Sequence, residues 1–159
     1  MVSYKNFWSL NTDEAVVTGI LRENILKEME VLMPINAQMR DIDLILMNTQ
    51  NKKCLTIQVK GSKAYEPKKK EVKKYGEGSS GWFFFSKEII HRSKADYFIF
   101  LVYVIKENSK AGRRVIEPHS ITIPTDKLKK LCLKYKTPHP DRYSFNVWIN
   151  PKKKSAFEW

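Results

Sequence analysis

Three polar side chains near the middle of the chain have the types and spacing needed for metal-assisted chemistry on a phosphate. Asp43 lies near the start of one apolar segment, and Gln58 and Lys60 lie at the end of the next. Because side chains alternate between the faces of a strand, Gln58 and Lys60 leave the same face. Oxygen ligands suit a hard cation such as Mg²⁺ or Mn²⁺, and a lysine can orient or help to deprotonate an attacking water. The three residues therefore predict phosphodiester hydrolysis.

A β-hairpin is the element that must bring these residues together. Apolar patterns predict strands over residues 41–47 and 54–59, and the polar turn 48–53 between them favours antiparallel pairing. In such a hairpin the start of the first strand lies beside the end of the second. We therefore expect Asp43, Gln58 and Lys60 to converge.

The remaining pattern predicts one α/β domain over residues 1–159 with a central mixed sheet. A helix is expected from residue 11 to about residue 30, and a long mobile basic loop over 61–81. The strand 97–105 is apolar on both faces and is therefore predicted to be central. The other predicted elements are strands 82–85 and 121–123, a helix over 124–135, and a strand 143–149 that closes the sheet.

Asp43 and the run Gln58-Val59-Lys60, with Glu14 on the preceding helix, resemble the PD-(D/E)XK nuclease superfamily in its QxK variant. The resemblance covers most of the chain and implies a restriction-endonuclease-like αβββαβ core with a central mixed sheet flanked by helices. It implies a Mg²⁺- or Mn²⁺-dependent endonuclease that hydrolyses duplex or branched DNA. It also implies a homodimer, since double-strand cutters of this fold tend to be dimers.

The resemblance assigns a role to each of these residues. Asp43 matches the metal-binding aspartate and Lys60 the catalytic lysine, and the main-chain carbonyl of Val59 would be a further ligand. Gln58 stands where the family usually has a metal-binding Glu or Asp. Since a neutral amide oxygen binds Mg²⁺ less strongly than a carboxylate, the alternative is a catalytically weak or inactive nucleic-acid-binding module.

Glu14 matches the first-helix glutamate that ligates the metal or positions its water. Glu23, about two and a half turns later, is its rival for this role. Glu14 also has a simpler explanation, because a carboxylate in the first turn of a helix is favoured by the helix dipole.

The distribution of charge points to a polyanionic partner. The chain carries 29 Lys and Arg against 17 Asp and Glu, a net charge of +12, and the entire excess lies after residue 60. Nucleic acid is the simplest such partner, although a solvated basic surface and an RNA-associated protein stay open. The lysines expected to contact the phosphate backbone are Lys63, Lys68, Lys69, Lys70, Lys73 and Lys74, with a smaller contribution from Lys152, Lys153 and Lys154.

Other features exclude competing classes. No stretch approaches the roughly 20 apolar residues of a membrane span, so no membrane partner is expected. Two cysteines form neither a disulfide framework nor a CxxC metal pair, which favours a cytoplasmic location. The aromatic run over residues 82–85 could stack on bases, but an aromatic strand is more often part of a core.

Overall fold

The computed structural model describes residues 12–34, 41–63, 65–108, 113–134, 139–150 and 156–157. Within these ranges, no helix has the length and apolar character needed to cross a membrane. The helices are α1 (Thr12–Asn24), α2 (Lys69–Tyr75), α3 (Lys87–Arg92) and α4 (Thr125–Lys134). The strands are β1 (Met29–Leu32), β2 (Leu44–Asn48), β3 (Cys54–Gly61), β4 (Ser79–Ser86), β5 (Tyr97–Asn108), β6 (Arg113–Pro124), β7 (Arg142–Ile149) and β8 (Ala156–Phe157).

These strands form two sheets. The first has the order β1-β2-β3-β5-β6, in which β3 and β5 are parallel and the other neighbours are antiparallel. The second is antiparallel with the order β4-β7-β8. The predicted α/β class with a mixed sheet is confirmed. The expectation that the last predicted strand closes that sheet is wrong, because β7 pairs with β4 in the second sheet.

The predicted hairpin is present as β2 and β3. Leu44 is opposite Ile57 and Met47 is opposite Cys54. The turn is held by Asn48, whose side-chain oxygen accepts hydrogen bonds from the amides of Gln50 and Asn51 at 3.0 and 3.1 Å. Such Asx bonds are a usual device of polar turns, so this part of the fold follows from local sequence.

Strand β5 separates the two halves of the core, as its apolar pattern predicts. Its even-numbered side chains, such as Phe98 and Phe100, pack against Phe83 and other residues of the second sheet. Its odd-numbered side chains, such as Ile99, belong to a cluster with Val17 of α1. Around β5 the first sheet is therefore covered by α1 on one face and by the second sheet on the other.

The first helix is shorter than predicted. It ends at Asn24, whose side-chain amide donates to the carbonyl of Ile20 at 2.7 Å. The next residues form β1, which pairs with β2, and Val31 is 6% exposed there. The expected continuation of the helix to residue 30 is wrong because burying Val31 against a neighbouring strand outweighs the local helical spacing.

The basic segment 61–81 was expected to be a mobile loop, and this expectation is wrong for much of it. Helix α2 occupies Lys69–Tyr75, and β4 begins at Ser79. The amide of Lys68 donates to the Glu71 carboxylate at 2.8 Å, which caps the helix at its start. At its end the Tyr75 ring packs on Trp148 with 5.3 Å between centroids. A contact so distant in sequence cannot be found from local pattern.

Candidate active site

Asp43 lies at the edge of β3, immediately before the first paired residue of β2. Its amide donates to the Ile57 carbonyl at 2.9 Å, and its Oδ2 accepts from the Val59 amide at 2.8 Å. Pairing between β2 and β3 stops at Leu44 opposite Ile57, so Val59 lies beyond the last strand pair. The Asp43 carboxylate thus replaces the strand carbonyl that the Val59 amide would otherwise need.

The main chain of Val59 contributes to the same edge. In a strand, the N–H and C=O of one residue point to the same side. Since the Val59 amide meets Asp43, the Val59 carbonyl also points towards this edge. A carboxylate and a main-chain carbonyl are both oxygen donors of the kind that Mg²⁺ and Mn²⁺ prefer.

Gln58 and Lys60 share a face of β3, as strand alternation requires. They lie opposite Phe98 and Phe100 of β5, whose side chains face the second sheet. Gln58 is 3% exposed, and its Oε1 accepts a hydrogen bond from the Ser93 hydroxyl at 3.4 Å. The Gln58 oxygen is therefore turned towards Ser93, which follows α3, and Lys60 is half-buried nearer the end of the strand.

Glu14 approaches β3 from the other side. It is 5% exposed in the first turn of α1, one turn before Val17. Val17 packs with Ile57 and Val59, whose side chains alternate with that of Gln58. The predicted site residues are therefore divided between the two faces of β3, with Asp43 at the edge between them.

Glu23 is the weaker of the two helix candidates. It is exposed near the opposite end of α1, about 13 Å along the helix axis from Glu14. The start of α1, by contrast, contacts the end of β3. The structure therefore favours Glu14 over Glu23 as the helix glutamate nearer to the end of β3.

Asp13 is a neighbour of this site that the sequence reasoning missed. A Cβ at Gly61 would overlap the Asp13 carboxylate, so the two residues are in direct contact at the end of β3. Tyr103 donates a hydrogen bond to Asp13 Oδ1 at 2.7 Å. Burial first, then the hydrogen bond and negative charge of Asp13, raise the pKa of Tyr103 to about 12. The sequence signal for this contact is Gly61 directly after Lys60, because a glycine at a strand end leaves room for a neighbouring side chain.

Most of the predicted backbone-binding lysines lie on α2. Lys69, Lys70, Lys73 and Lys74 are exposed and span an arc of about 140° on the helix. Tyr75, which anchors the helix to Trp148, lies outside this arc. Lys63 and Lys68 are exposed in the segment between β3 and α2. Lys152, Lys153 and Lys154 lie outside the described residues.

Among the described residues, no group of three or more His, Cys, Asp or Glu side chains is arranged to hold a metal ion. Comparisons of the chain with protein-family models, with curated proteins and with solved structures gave no match.

Proposed function

We propose that the protein is a metal-dependent nuclease of the PD-(D/E)XK type that hydrolyses phosphodiester bonds in DNA. The observation that carries this proposal is the 2.8 Å hydrogen bond from the Val59 amide to the Asp43 carboxylate. It fixes the carboxylate at the strand edge, one residue before Lys60. A carboxylate, a carbonyl and a lysine at one strand end are the groups that metal-assisted hydrolysis requires.

The order of elements supports the proposal. Helix α1 is followed by the antiparallel strands β1, β2 and β3, and later by α3 and then β5, which runs parallel to β3. With α2 and β4, which lie between β3 and α3, left out, these elements follow the αβββαβ order that the resemblance implies. Two elements of this order differ from those assigned from sequence, because the sequence analysis predicted neither β1 nor α3.

The proposal gives each residue a distinct role. Asp43 and the Val59 carbonyl would hold Mg²⁺ or Mn²⁺, which supplies Lewis acidity towards the scissile phosphate. Lys60, next along the strand, would orient the attacking water. Glu14 would position water from the α1 side, and the exposed lysines of α2 would hold the DNA backbone.

Asp43→Asn is the sharpest test of this proposal. The asparagine oxygen can still accept from the Val59 amide, so the fold is retained while the charge at the metal is lost. Mutating even the outer partners of a metal ligand typically costs about 10- to 100-fold, so cleavage should fall by about 100-fold or more. The measurement is cleavage of plasmid, single-stranded and branched DNA with Mg²⁺ or Mn²⁺, with chelation abolishing activity. Lys60→Ala should have a similar effect.

Matched controls lie nearby. Asp41→Asn changes the same charge two residues earlier, and asparagine tolerates its positive φ of 72°. Lys53→Ala removes an exposed lysine before the start of β3. Both controls should cut like the wild type. Equal activity of Asp43→Asn and Asp41→Asn would refute the proposed site.

A binding module without catalysis is the second candidate, and the placement of Gln58 favours it. The Gln58 oxygen is buried and engaged by Ser93, on the face of β3 turned away from Glu14. A wild-type protein that binds DNA in a salt-dependent manner but cuts none of these substrates would identify this function.

A further inference from the structure

Strand β4 has two different faces. Phe83 and Phe85 are 2% and 7% exposed and pack between the sheets, whereas Trp82 and Phe84 are 57% and 44% exposed on the outer face. The sequence reasoning favoured a core role for all four aromatics, which is wrong for Trp82 and Phe84. Two large exposed rings on one strand form an apolar patch of the kind that marks a binding surface.

One polar contact orients the Trp82 ring, and another holds its main chain. Its indole Nε1 donates to the Ser144 hydroxyl at 2.7 Å across the β4–β7 pair. The main-chain amide of Trp82 donates to the Ser62 hydroxyl at 2.8 Å, and Ser62 lies two residues after Lys60. A ring whose orientation is already set loses little conformational freedom when a ligand stacks on it.

A positively charged side chain lies beside the Phe84 ring. The Arg142 guanidinium lies 5.1 Å from the centroid of Phe84, within the range of a cation–π contact. Arg142 pairs with Ser86 at the end of β4, so the charge lies on the same sheet beside the aromatic patch. A guanidinium in this position can bind phosphate or stack on a base.

Helix α2 borders the same outer face. Trp148 pairs with Ser80 and alternates with Val147, whose side chain faces the core, so Trp148 faces outward with Trp82 and Phe84. Tyr75 packs on Trp148 and holds α2 at this end of the face. Lys69, Lys70 and Lys73 lie on the side of α2 away from that anchor, whereas Lys74 Nζ donates to the Tyr75 hydroxyl at 2.7 Å. Helix α2 therefore brings positive charge to this end of the face.

We infer that this outer face, formed by Trp82, Phe84 and Arg142 and bordered by α2, binds unpaired bases of single-stranded DNA by stacking. The inference rests on the proposed function in taking DNA as the partner. Every base has a π-face, and it is accessible in a single strand but hidden in a duplex. Aromatic rings flanked by cations suit a polyanion with exposed bases, whereas the core of a protein interface is depleted of charge.

Binding of labelled oligonucleotides without metal tests the inference. A single strand of roughly 20 nucleotides and the same sequence as a duplex are titrated with the full chain in a chelating buffer, so no cleavage is needed. Trp82→Ala should weaken single-strand binding about tenfold, since each stacked base contributes on that scale. Duplex binding should change less than about twofold, because it depends on backbone contacts.

Two further variants separate stacking from general apolar contact. Trp82→Phe keeps a ring and should retain most single-strand affinity, whereas Trp82→Leu should behave like Trp82→Ala. Leu133→Ala serves as the control, because Leu133 is an apolar residue of α4 that is 72% exposed. Circular dichroism and the unfolding temperature verify that each variant is folded.

Several outcomes would overturn the inference. Equal losses for single strand and duplex, unchanged binding of Trp82→Ala, or a wild type that binds no single strand would each do so. A dimer that dissociates on Trp82→Ala without any loss of DNA binding would assign the face to a second copy instead. Cleavage by the wild type, with Asp43→Asn inactive, would leave the proposed nuclease intact in all these cases.

Discussion

The edge of β3 and the outer face of β4 expose different kinds of chemical group. At the β3 edge the polar groups are a carboxylate, main-chain atoms and a lysine, held by hydrogen bonds such as that from Val59 to Asp43. At the outer face of β4 the groups are aromatic rings with an arginine beside them. The first region carries the groups of the proposed metal-assisted site, and the second carries the rings and the cation of the proposed binding face.

The cause of this difference lies in how each sheet is covered. Near β3 and β5 the first sheet is buried on both faces, so its polar groups emerge where strand pairing stops. The second sheet is covered on its inner face, which leaves large side chains on the other. The proposed catalytic site and the proposed binding face therefore lie on different sheets, with one aromatic core between them.

The largest expected effect comes from breaking that core. Phe100 lies between the sheets, with ring centroids 5.0 Å from Phe83 and 5.8 Å from Phe85. Phe100→Ala should lower the free energy of unfolding by about 3–5 kcal/mol, because it removes a large buried side chain and leaves a cavity. Denaturant unfolding measures this, with Phe84→Ala on the exposed face as the control. Two separate unfolding transitions in the wild type would show that the sheets are independent.

A medium effect is expected from the lysines of α2. Changing Lys69, Lys70, Lys73 and Lys74 to Gln should reduce the salt dependence of duplex binding by roughly three units of slope, since each phosphate contact releases about one counterion. The matched control changes four exposed lysines away from α2, namely Lys94, Lys127, Lys130 and Lys134, to Gln. Equal slopes for the two variants would mean that α2 is only a solvated surface.

The smallest effect concerns Tyr103 beside the β3 edge. Because the pKa of Tyr103 is raised to about 12 in the folded state, its neutral phenol stabilises the fold below the usual pKa of about 10. This contribution is lost as the pH rises through 10 to 12. Tyr103→Phe should cost about 1 kcal/mol at neutral pH through the lost hydrogen bond to Asp13, and should lessen the fall in stability at high pH.

Thermal unfolding between pH 7 and 12 measures both parts of this prediction. Tyr97→Phe on the same strand is the control. A wild type and a Tyr103→Phe variant with parallel pH profiles would contradict the role assigned to Asp13.

Local pattern predicted the hairpin and β5 because alternation, a polar turn and a long apolar run determine these elements. It failed for α2, which is anchored by Tyr75 on Trp148, and for β1, which depends on Val31 packing beside β2. It placed Gln58 and Lys60 on one face but could not tell which face α1 would cover. Asp13 was missed for the same reason, since its contact with Gly61 exists only once α1 packs on β3.

The position of β4 in the chain has a consequence for folding kinetics. This strand is inserted between β3 and β5, yet its partner β7 begins only at Arg142. Pairing across such a sequence separation carries a loop-closure cost and slows folding. During synthesis, Phe83 and Phe85 therefore have no sheet partner until the C-terminal third of the chain has been made. In that interval the nascent chain exposes a hydrophobic strand edge, the kind of segment that chaperones protect from aggregation.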